Sequence, residues 1–253
     1  MKRSLFSVVM ASLLALTGCA GHPGAKPTRT ITLAVDDAGK PAADADRQKV
    51  DDALAMIQAG HIQQAVDGPL AEVIRKYEAL YKDSPAKVFC ARGMVDALAY
   101  AALGDKMADA DPGVSVSVIG PAWALAYWAR GYAMTEMARY AEARADLEKA
   151  LALSPMDSQF KIELAYTYQE SRDWQKMLAL DQEAEADAEI SAAPEQASPL
   201  KCAALRGQGF ALVELGRLDD ATEAYRKCLK LVPGEPKSLA ELEYIHGLRA
   251  KGG

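Results

Sequence analysis

YWARGYAMTEMARYAEARADLEKALALSP, residues 127–155, is the stretch of sequence that decides the fold. Its apolar and small residues recur at helical spacing, and Gly131 lies between the bulky Trp128 and Tyr132. A proline closes the run at position 155, because proline cannot continue a helix. Taken alone, the stretch could be one helix, a hairpin, or one unit of a repeat.

The same pattern occurs twice more, at residues 161–185 and 203–233. Each segment has a small residue in its first half and a break about seven residues later, followed by an aromatic or apolar residue. The first and third segments also share small residues after the break, and both end in a proline, Pro155 and Pro233, 78 residues apart. The small residues at equivalent positions are Gly131, Ala165 and Gly209, then Ala143 and Ala221, then Ala150 and Cys228.

This arrangement resembles the tetratricopeptide repeat (TPR), a helix-turn-helix unit of about 34 residues. The resemblance implies an all-α solenoid of helical hairpins over residues 122–235, followed by a capping helix over 236–253. Small residues let two antiparallel helices approach closely, so Gly131 is predicted to face Ala143, and Gly209 to face Ala221. Gly216 suits the left-handed conformation that often ends a helix.

The first part of the chain is less regular. Residues 46–121 are predicted to form irregular helical repeats, with Gly60 at a turn and an interruption at residues 67–69. Residues 30–35 and 114–120 alternate apolar with polar or small residues, which predicts a short two-stranded β patch near the N-terminus.

The N-terminus has the features of an export signal. Lys2 and Arg3 precede an apolar run, residues 5–16, that is too short to span a bilayer. Leu16-Thr17-Gly18-Cys19 resembles the lipobox of bacterial lipoproteins, which implies a signal peptide over 1–18 and lipidation of Cys19. Residues 19–45 would then hold a flexible tether and a short extended segment, and Ala20 favours the outer membrane in that family. The alternative is a simple secretory signal with a chance cysteine.

Composition excludes some classes of function. The net charge is −6, and removal of Lys2 and Arg3 would make the mature chain more acidic, which argues against general nucleic-acid binding. No nucleophile elbow, phosphate-binding glycine loop or metalloprotease motif is present, and His22, His61 and His246 are scattered. The sequence therefore predicts no enzyme activity, no cofactor and no metal site.

The TPR register has a consequence for two cysteines. It places Cys202 at the start of one helix and Cys228 near the end of the next, and antiparallel helices bring such ends together. We therefore expect either a Cys202–Cys228 disulfide in an oxidising compartment or two buried free thiols.

In the resembling family, the first helices of successive units line a concave groove that holds a peptide or a partner helix. The register predicts that this groove is aromatic with a few charges. It lacks the Lys/Asn set that clamps a C-terminal carboxylate in some members. The alternative is that the aromatic residues are packed or covered by the N-terminal segment or the 105–121 loop. The predicted groove residues are Trp128, Tyr132, Glu136, Ile162, Tyr166, Arg206 and Phe210.

The sequence thus predicts a non-catalytic, lipid-anchored periplasmic scaffold that binds an envelope protein or peptide. Two alternatives remain open: a structural lipoprotein that self-associates into a homo-oligomer, and a regulatory subunit of a cell-wall enzyme.

Overall fold

The computed structural model describes residues 28–32, 44–111 and 113–252. Cys19, the signal peptide, the tether and residues 33–35 of the predicted strand lie outside the described residues. The helices are α1 (Ala45–Gln58), α2 (Ile62–Ala65), α3 (Ala71–Tyr81), α4 (Met94–Ala110), α5 (Ala122–Glu136), α6 (Tyr140–Leu153), α7 (Ser158–Glu170), α8 (Trp174–Ser191), α9 (Pro194–Glu214), α10 (Leu218–Leu231) and α11 (Pro236–Gly252). The strands are β1 (Arg29–Thr32), β2 (Ala86–Cys90) and β3 (Ser115–Ile119).

Residues 127–155 belong to a helical hairpin, α5–α6. Two more hairpins, α7–α8 and α9–α10, stack on it in sequence order. The prediction of a TPR-like helical solenoid is confirmed. Each hairpin turns through one residue with a left-handed backbone: Ala138 (φ 57°), Arg172 (φ 54°) and Gly216 (φ 72°). The last helix, α11, packs mainly against α10 and closes the stack.

The two central glycines allow close approach, but their nearest neighbours differ from those predicted. A Cβ atom on Gly131 would lie 2.7 Å from Cγ of Leu147 and 3.2 Å from the Ala143 carbonyl oxygen. A Cβ atom on Gly209 would lie 2.6 Å from the Tyr225 ring rather than against Ala221. The glycines thus make room for large side chains of the second helix, because those side chains lean across the seam between the helices.

The β patch has three parallel strands in the order β1-β3-β2, where the sequence predicted two. Arg29 to Thr32 pair with Val116 to Ile119, and Ala86 to Cys90 pair with Ser115 to Ile119. Residues 86–90 were expected to be helical, and that expectation is wrong. Their short apolar run fits a strand that is buried on both faces, which periodicity alone does not separate from a helix.

This sheet lies between α4 and the helical stack. Phe89, Val116 and Val118 pack with Tyr100 of α4, whereas Val88 and Cys90 join the core of the stack. Ser154, at the end of α6, donates a hydrogen bond from Oγ to the Cys90 carbonyl oxygen at 2.7 Å. The sheet is therefore attached to the first TPR hairpin.

Helices α1 to α3, which lie between β1 and β2 in the chain, pack against α5. The predicted interruption appears as a π-helical turn over Val66–Leu70, where Gly68 has a non-helical backbone. Tyr77 and Tyr81 of α3 stack on Trp123 of α5, with ring centroids 5.9 and 5.6 Å apart. Among the described residues, no helix combines the length and apolar character needed to cross a membrane.

Candidate binding pocket

The first helices of the last two hairpins and the closing helix α11 border a cavity of about 270 Å³, here called the concave pocket. Residues of α8 and α10 also line it. The alternation of first and second helices produces this arrangement, because the first helices of a TPR stack line one face of the solenoid. Its lining residues are Ile162, Tyr166 and Gln169 of α7; Met177 and Asp181 of α8; Ala203, Arg206, Gly207 and Phe210 of α9; Tyr225 of α10; and Lys237 and Glu241 of α11.

Asp181 is the most unusual residue of the concave pocket. Its side chain is 1% exposed, and neither carboxylate oxygen has a hydrogen-bond partner among the described residues. Burial raises the pKa of this carboxyl well above its ordinary value. A Cβ atom on Gly207 would lie 2.1 Å from Asp181 Oδ2, so the carboxyl occupies space that only glycine leaves open.

A second polar group without a partner lines the same pocket. The Tyr225 hydroxyl is buried and forms no hydrogen bond within the described part of the chain. Most buried polar groups in proteins are hydrogen-bonded, so these two side chains are exceptions among the described residues.

The rim of the concave pocket is charged and aromatic. Arg206 forms an ion pair with Glu235 at 3.5 Å, and Lys237 and Glu241 lie one turn apart on α11. Tyr166 is 49% exposed, and Phe210 packs edge-on against Trp174 with ring centroids 5.8 Å apart. The pocket is therefore open to solvent on a surface that offers both stacking and ionic contacts.

Four of the seven predicted groove residues meet here: Ile162, Tyr166, Arg206 and Phe210. Trp128 does not line the concave pocket. It is 8% exposed and stacks on Phe160 of α7 at 6.0 Å, because the next hairpin covers this part of α5. The alternative of simple packing thus describes Trp128 better than an open groove does.

Tyr132 and Glu136 lie further along α5, outside the concave pocket. Tyr132 is half-buried and Glu136 is exposed. Burial, with a smaller contribution from the Glu136 charge, raises the pKa of the half-buried Glu163 on α7 to about 7. The packing between α5 and α7 accounts for the partial burial of Glu163.

Cys202 and Cys228, which the TPR register predicted to lie close together, are neighbours in space. Cys202 and Cys228 form a disulfide between α9 and α10, with their Cα atoms 4.3 Å apart. The Glu235 carboxylate lies within 4.8 Å of both sulfur atoms, but sulfur atoms joined in a disulfide are not thiolate ligands for a metal ion. Cys90 is a buried free thiol, and burial raises its pKa to about 12.

Sequence reasoning missed Asp181, Gly207, Lys237 and Glu241. Lys237 and Glu241 belong to α11, which the sequence predicted only as a helix that caps the stack. One signal was present for Gly207: the sequence Gly-Gln-Gly over 207–209 places two glycines in one helix turn, where only Gly209 matches the repeat pattern. The burial of Asp181 has no signal in the sequence, because it is one of five acidic residues that alternate along the second half of α8.

Comparison with known proteins agrees with this architecture. The family model described as tetratricopeptide repeat matches residues 124–156 and 208–234, which are nearly all of α5–α6, and the last two turns of α9 with all of α10. These two hairpins are TPR repeats, and proteins built from such repeats generally mediate protein–protein interactions. The middle hairpin, α7–α8, has the same geometry but no match; its turn residue is Arg172 in place of a small residue.

The chain also resembles solved structures. PilF from Pseudomonas aeruginosa is 14% identical, with a TM-score of 0.56 over 82% of this chain and 70% of PilF. The second TPR domain of human RPAP3, solved with an HSP70 peptide, is 20% identical, with a TM-score of 0.44 over 50% of this chain and 98% of that domain. The N-terminal domain of STI-1 from C. elegans is 18% identical, with a TM-score of 0.44 over 50% and 96%. Curated proteins gave no match to the sequence.

Proposed function

We propose that the protein is a non-catalytic scaffold, anchored by lipid at Cys19 to the outer membrane of a bacterium, that binds a segment of another envelope protein. The concave pocket is the observation that carries the proposal. It combines an exposed aromatic side chain, Tyr166, with charged rim residues and buried polar groups that have no partner among the described residues. Surfaces that bind proteins are enriched in such aromatic and arginine residues.

The membrane attachment rests on the sequence alone. Leu16-Thr17-Gly18-Cys19 follows a short apolar run with a basic start, as in lipoprotein precursors. Several acyl chains on one residue anchor a protein stably. Cells that express the chain and are fed radiolabelled palmitate should yield a labelled protein, and Cys19→Ala should lose the label. An unlabelled wild-type protein would contradict the anchor.

Export has a consequence for the disulfide. We propose that Cys202 and Cys228 are oxidised in the exported protein, because the periplasm favours disulfides. Peptide mapping under non-reducing conditions should recover the two cysteines in one linked species. Two thiols that alkylate without prior reduction would contradict it.

Site-specific crosslinking tests the binding function. Tyr166 is replaced by the photo-crosslinker p-benzoylphenylalanine, and Leu80 of α3, which is 64% exposed, is replaced in a matched control. In cells that naturally express the chain, we expect illumination to link position 166, but not position 80, to one partner that mass spectrometry identifies. Phe210→Ala should weaken that crosslink.

Each other outcome has a meaning. Crosslinks from position 166 to a second copy of the chain would favour self-association, and equal crosslinks from positions 166 and 80 would contradict a role for the concave pocket.

A further inference from the structure

The first helix of each hairpin in the stack ends in the same way. An aromatic residue is followed one helical turn later by a glutamate, and that glutamate is the last residue of the helix. The left-handed turn residue always comes two positions after the glutamate, so the pairs are equivalent in all three hairpins. The pairs, here called the aromatic–glutamate ladder, are Tyr132 and Glu136 of α5, Tyr166 and Glu170 of α7, and Phe210 and Glu214 of α9.

The ladder lies on the face of the stack that holds the concave pocket. Tyr166 and Phe210 line this pocket, and residues four apart share one face of a helix, so the glutamates that follow them lie beside it. Burial raises the pKa of Tyr132, and the charges of Glu136 and Glu163 add to this effect because both carboxylates are close to it. Helix α7 contacts both α5 and α9, which makes the ladder continuous across the three hairpins.

The negative charge of the ladder is not neutralised within the described residues. Glu136, Glu170 and Glu214 are exposed, and none of them forms a hydrogen bond or an ion pair in that part of the chain. The lysine and arginine residues of α5, α7 and α9 are all in ion pairs with other acids. These pairs join Arg130 to Asp146, Lys161 to Glu183 and Asp187, Lys201 to Glu189, and Arg206 to Glu235.

The position of these glutamates does not favour helix stability. The C-terminal end of a helix carries the negative end of the helix dipole, where a carboxylate is unfavourable and a lysine or arginine is favourable. The last turns of α5, α7 and α9 contain no basic residue that would offset the charge. Because the same unfavourable choice recurs at one position of all three hairpins, its explanation lies in a contact outside the hairpin.

We infer that the aromatic–glutamate ladder binds an extended segment of the partner that carries lysine or arginine at regular intervals. This inference rests on the proposed function and gives the partner its chemistry. Each pair offers a ring for the apolar stem and the cation, and a carboxylate for the charged end.

The geometry of the stack sets the interval between the basic residues. Packed helices lie about 8–10 Å apart, and an extended chain advances about 3.3 Å per residue. One lysine or arginine in about every three residues would therefore meet successive pairs of the ladder.

Fluorescence anisotropy with three labelled peptides tests the inference on the full folded chain. The first peptide has lysine at every third position, separated by glycine and serine. The second has glutamate in place of lysine, and the third has the composition of the first with its lysines adjacent. We expect the first to bind about ten-fold more tightly than the third, to weaken as salt is added, and the second not to bind.

Two triple variants with the same change in net charge identify the ladder. Replacing its glutamates (Glu136→Gln, Glu170→Gln and Glu214→Gln) should weaken the first peptide about ten-fold and leave the thermal unfolding midpoint unchanged or higher. The control replaces one exposed glutamate in each second helix: Glu148→Gln, Glu189→Gln and Glu223→Gln. It should change binding by less than about three-fold.

Several results would overturn the inference. Equal losses in the two triple variants would show that only net charge matters, and equal binding of the first and third peptides would refute the interval. If the partner crosslinked at position 166 contacts the ladder through a segment without basic residues, the proposed function stands and this inference fails. Tight binding of the first peptide with no crosslinked partner would support the ladder and contradict the proposed function.

Discussion

Single residues set the geometry of the hairpin turns. Ala138, Arg172 and Gly216 occupy equivalent left-handed positions, but only Gly216 adopts that conformation without a steric cost from Cβ. The two other hairpins therefore carry a small local strain that the surrounding packing overcomes.

Replacing the strained turn residues should stabilise the protein. We expect Ala138→Gly and Arg172→Gly each to raise the free energy of unfolding by about 0.5–1 kcal/mol, since the relieved strain exceeds the entropy that glycine adds to the unfolded chain. Gly216→Ala should lower it by about 1 kcal/mol, because its Cβ meets no atom within 4 Å and only the backbone is strained. Urea unfolding measures all three; a destabilised Ala138→Gly would contradict this account.

The helical glycines act through close packing instead. Gly131→Ala and Gly209→Ala should each cost about 1–3 kcal/mol, because the new methyl group would overlap Leu147 or the Tyr225 ring. Gly247 of α11 is the matched control, since a Cβ there meets nothing within 4 Å. Gly247→Ala should be neutral or stabilising by up to about 1 kcal/mol. Thermal unfolding compares the three, and similar effects at all positions would argue against a packing cause.

At the scale of elements, α7 joins the sheet to the stack. Asp157 caps α7 by accepting a hydrogen bond from the Phe160 amide at 3.1 Å, and it also accepts one from Arg92 Nε at 2.6 Å. Arg92 lies two residues after the end of β2, and its guanidinium lies over the Phe160 ring, 5.2 Å from the ring centroid. One buried carboxylate therefore serves both as a helix cap and as the link between two substructures.

Comparing two helix caps separates these roles. Asp157→Ala should cost about 2–4 kcal/mol, because it removes the cap and leaves Arg92 without its partner. Asp173→Ala removes the cap of α8, a hydrogen bond from the Lys176 amide at 3.2 Å, together with an exposed ion pair to Lys176 Nζ at 3.6 Å, and should cost about 1 kcal/mol. Chemical denaturation of both variants and of Arg92→Ala gives the comparison. Equal losses for Asp157→Ala and Asp173→Ala would show that the Arg92 link contributes nothing.

At the scale of the whole molecule, stability should depend on pH through acids whose pKa is raised by burial, among them Glu163 and Asp181. The pKa of Glu163 is raised to about 7 from 4.5, and that of Asp181 is raised well above its ordinary value. Between about pH 4.5 and pH 7 the folded protein holds more protons than the unfolded chain at Glu163. The free energy of unfolding must therefore fall as the pH rises through this window.

Removing either carboxyl should flatten this dependence. We expect Glu163→Gln to stabilise the protein by about 1–3 kcal/mol at pH 8 relative to wild type, and by much less at pH 4.5. Asp181→Asn should act in the same direction. Urea titrations at the two pH values measure the effect, with the exposed Glu142→Gln as control. A wild-type protein that becomes more stable from pH 4.5 to pH 8 would contradict the assignment.

The sequence determined the repeat by itself. Helical hairpins that pack closely and end at fixed points are indicated by the spacing of two glycines and two prolines, Gly131, Gly209, Pro155 and Pro233. Close packing and helix termination depend on residues near one another in the chain, so the sequence pattern alone reveals them. The same register predicted Tyr166 and Phe210 for one face of the first helices, and both residues line the concave pocket.

Only the tertiary structure decided which residues of the first helices are covered and which other segments are buried. Trp128 is buried because Phe160 of the next hairpin stacks on it, and residues 86–90 are a strand because β3 and α4 enclose them. Asp181 is buried because α9 lies against α8 at Gly207. Each of these outcomes depends on contacts between segments distant in sequence, and no periodicity within a single segment encodes them.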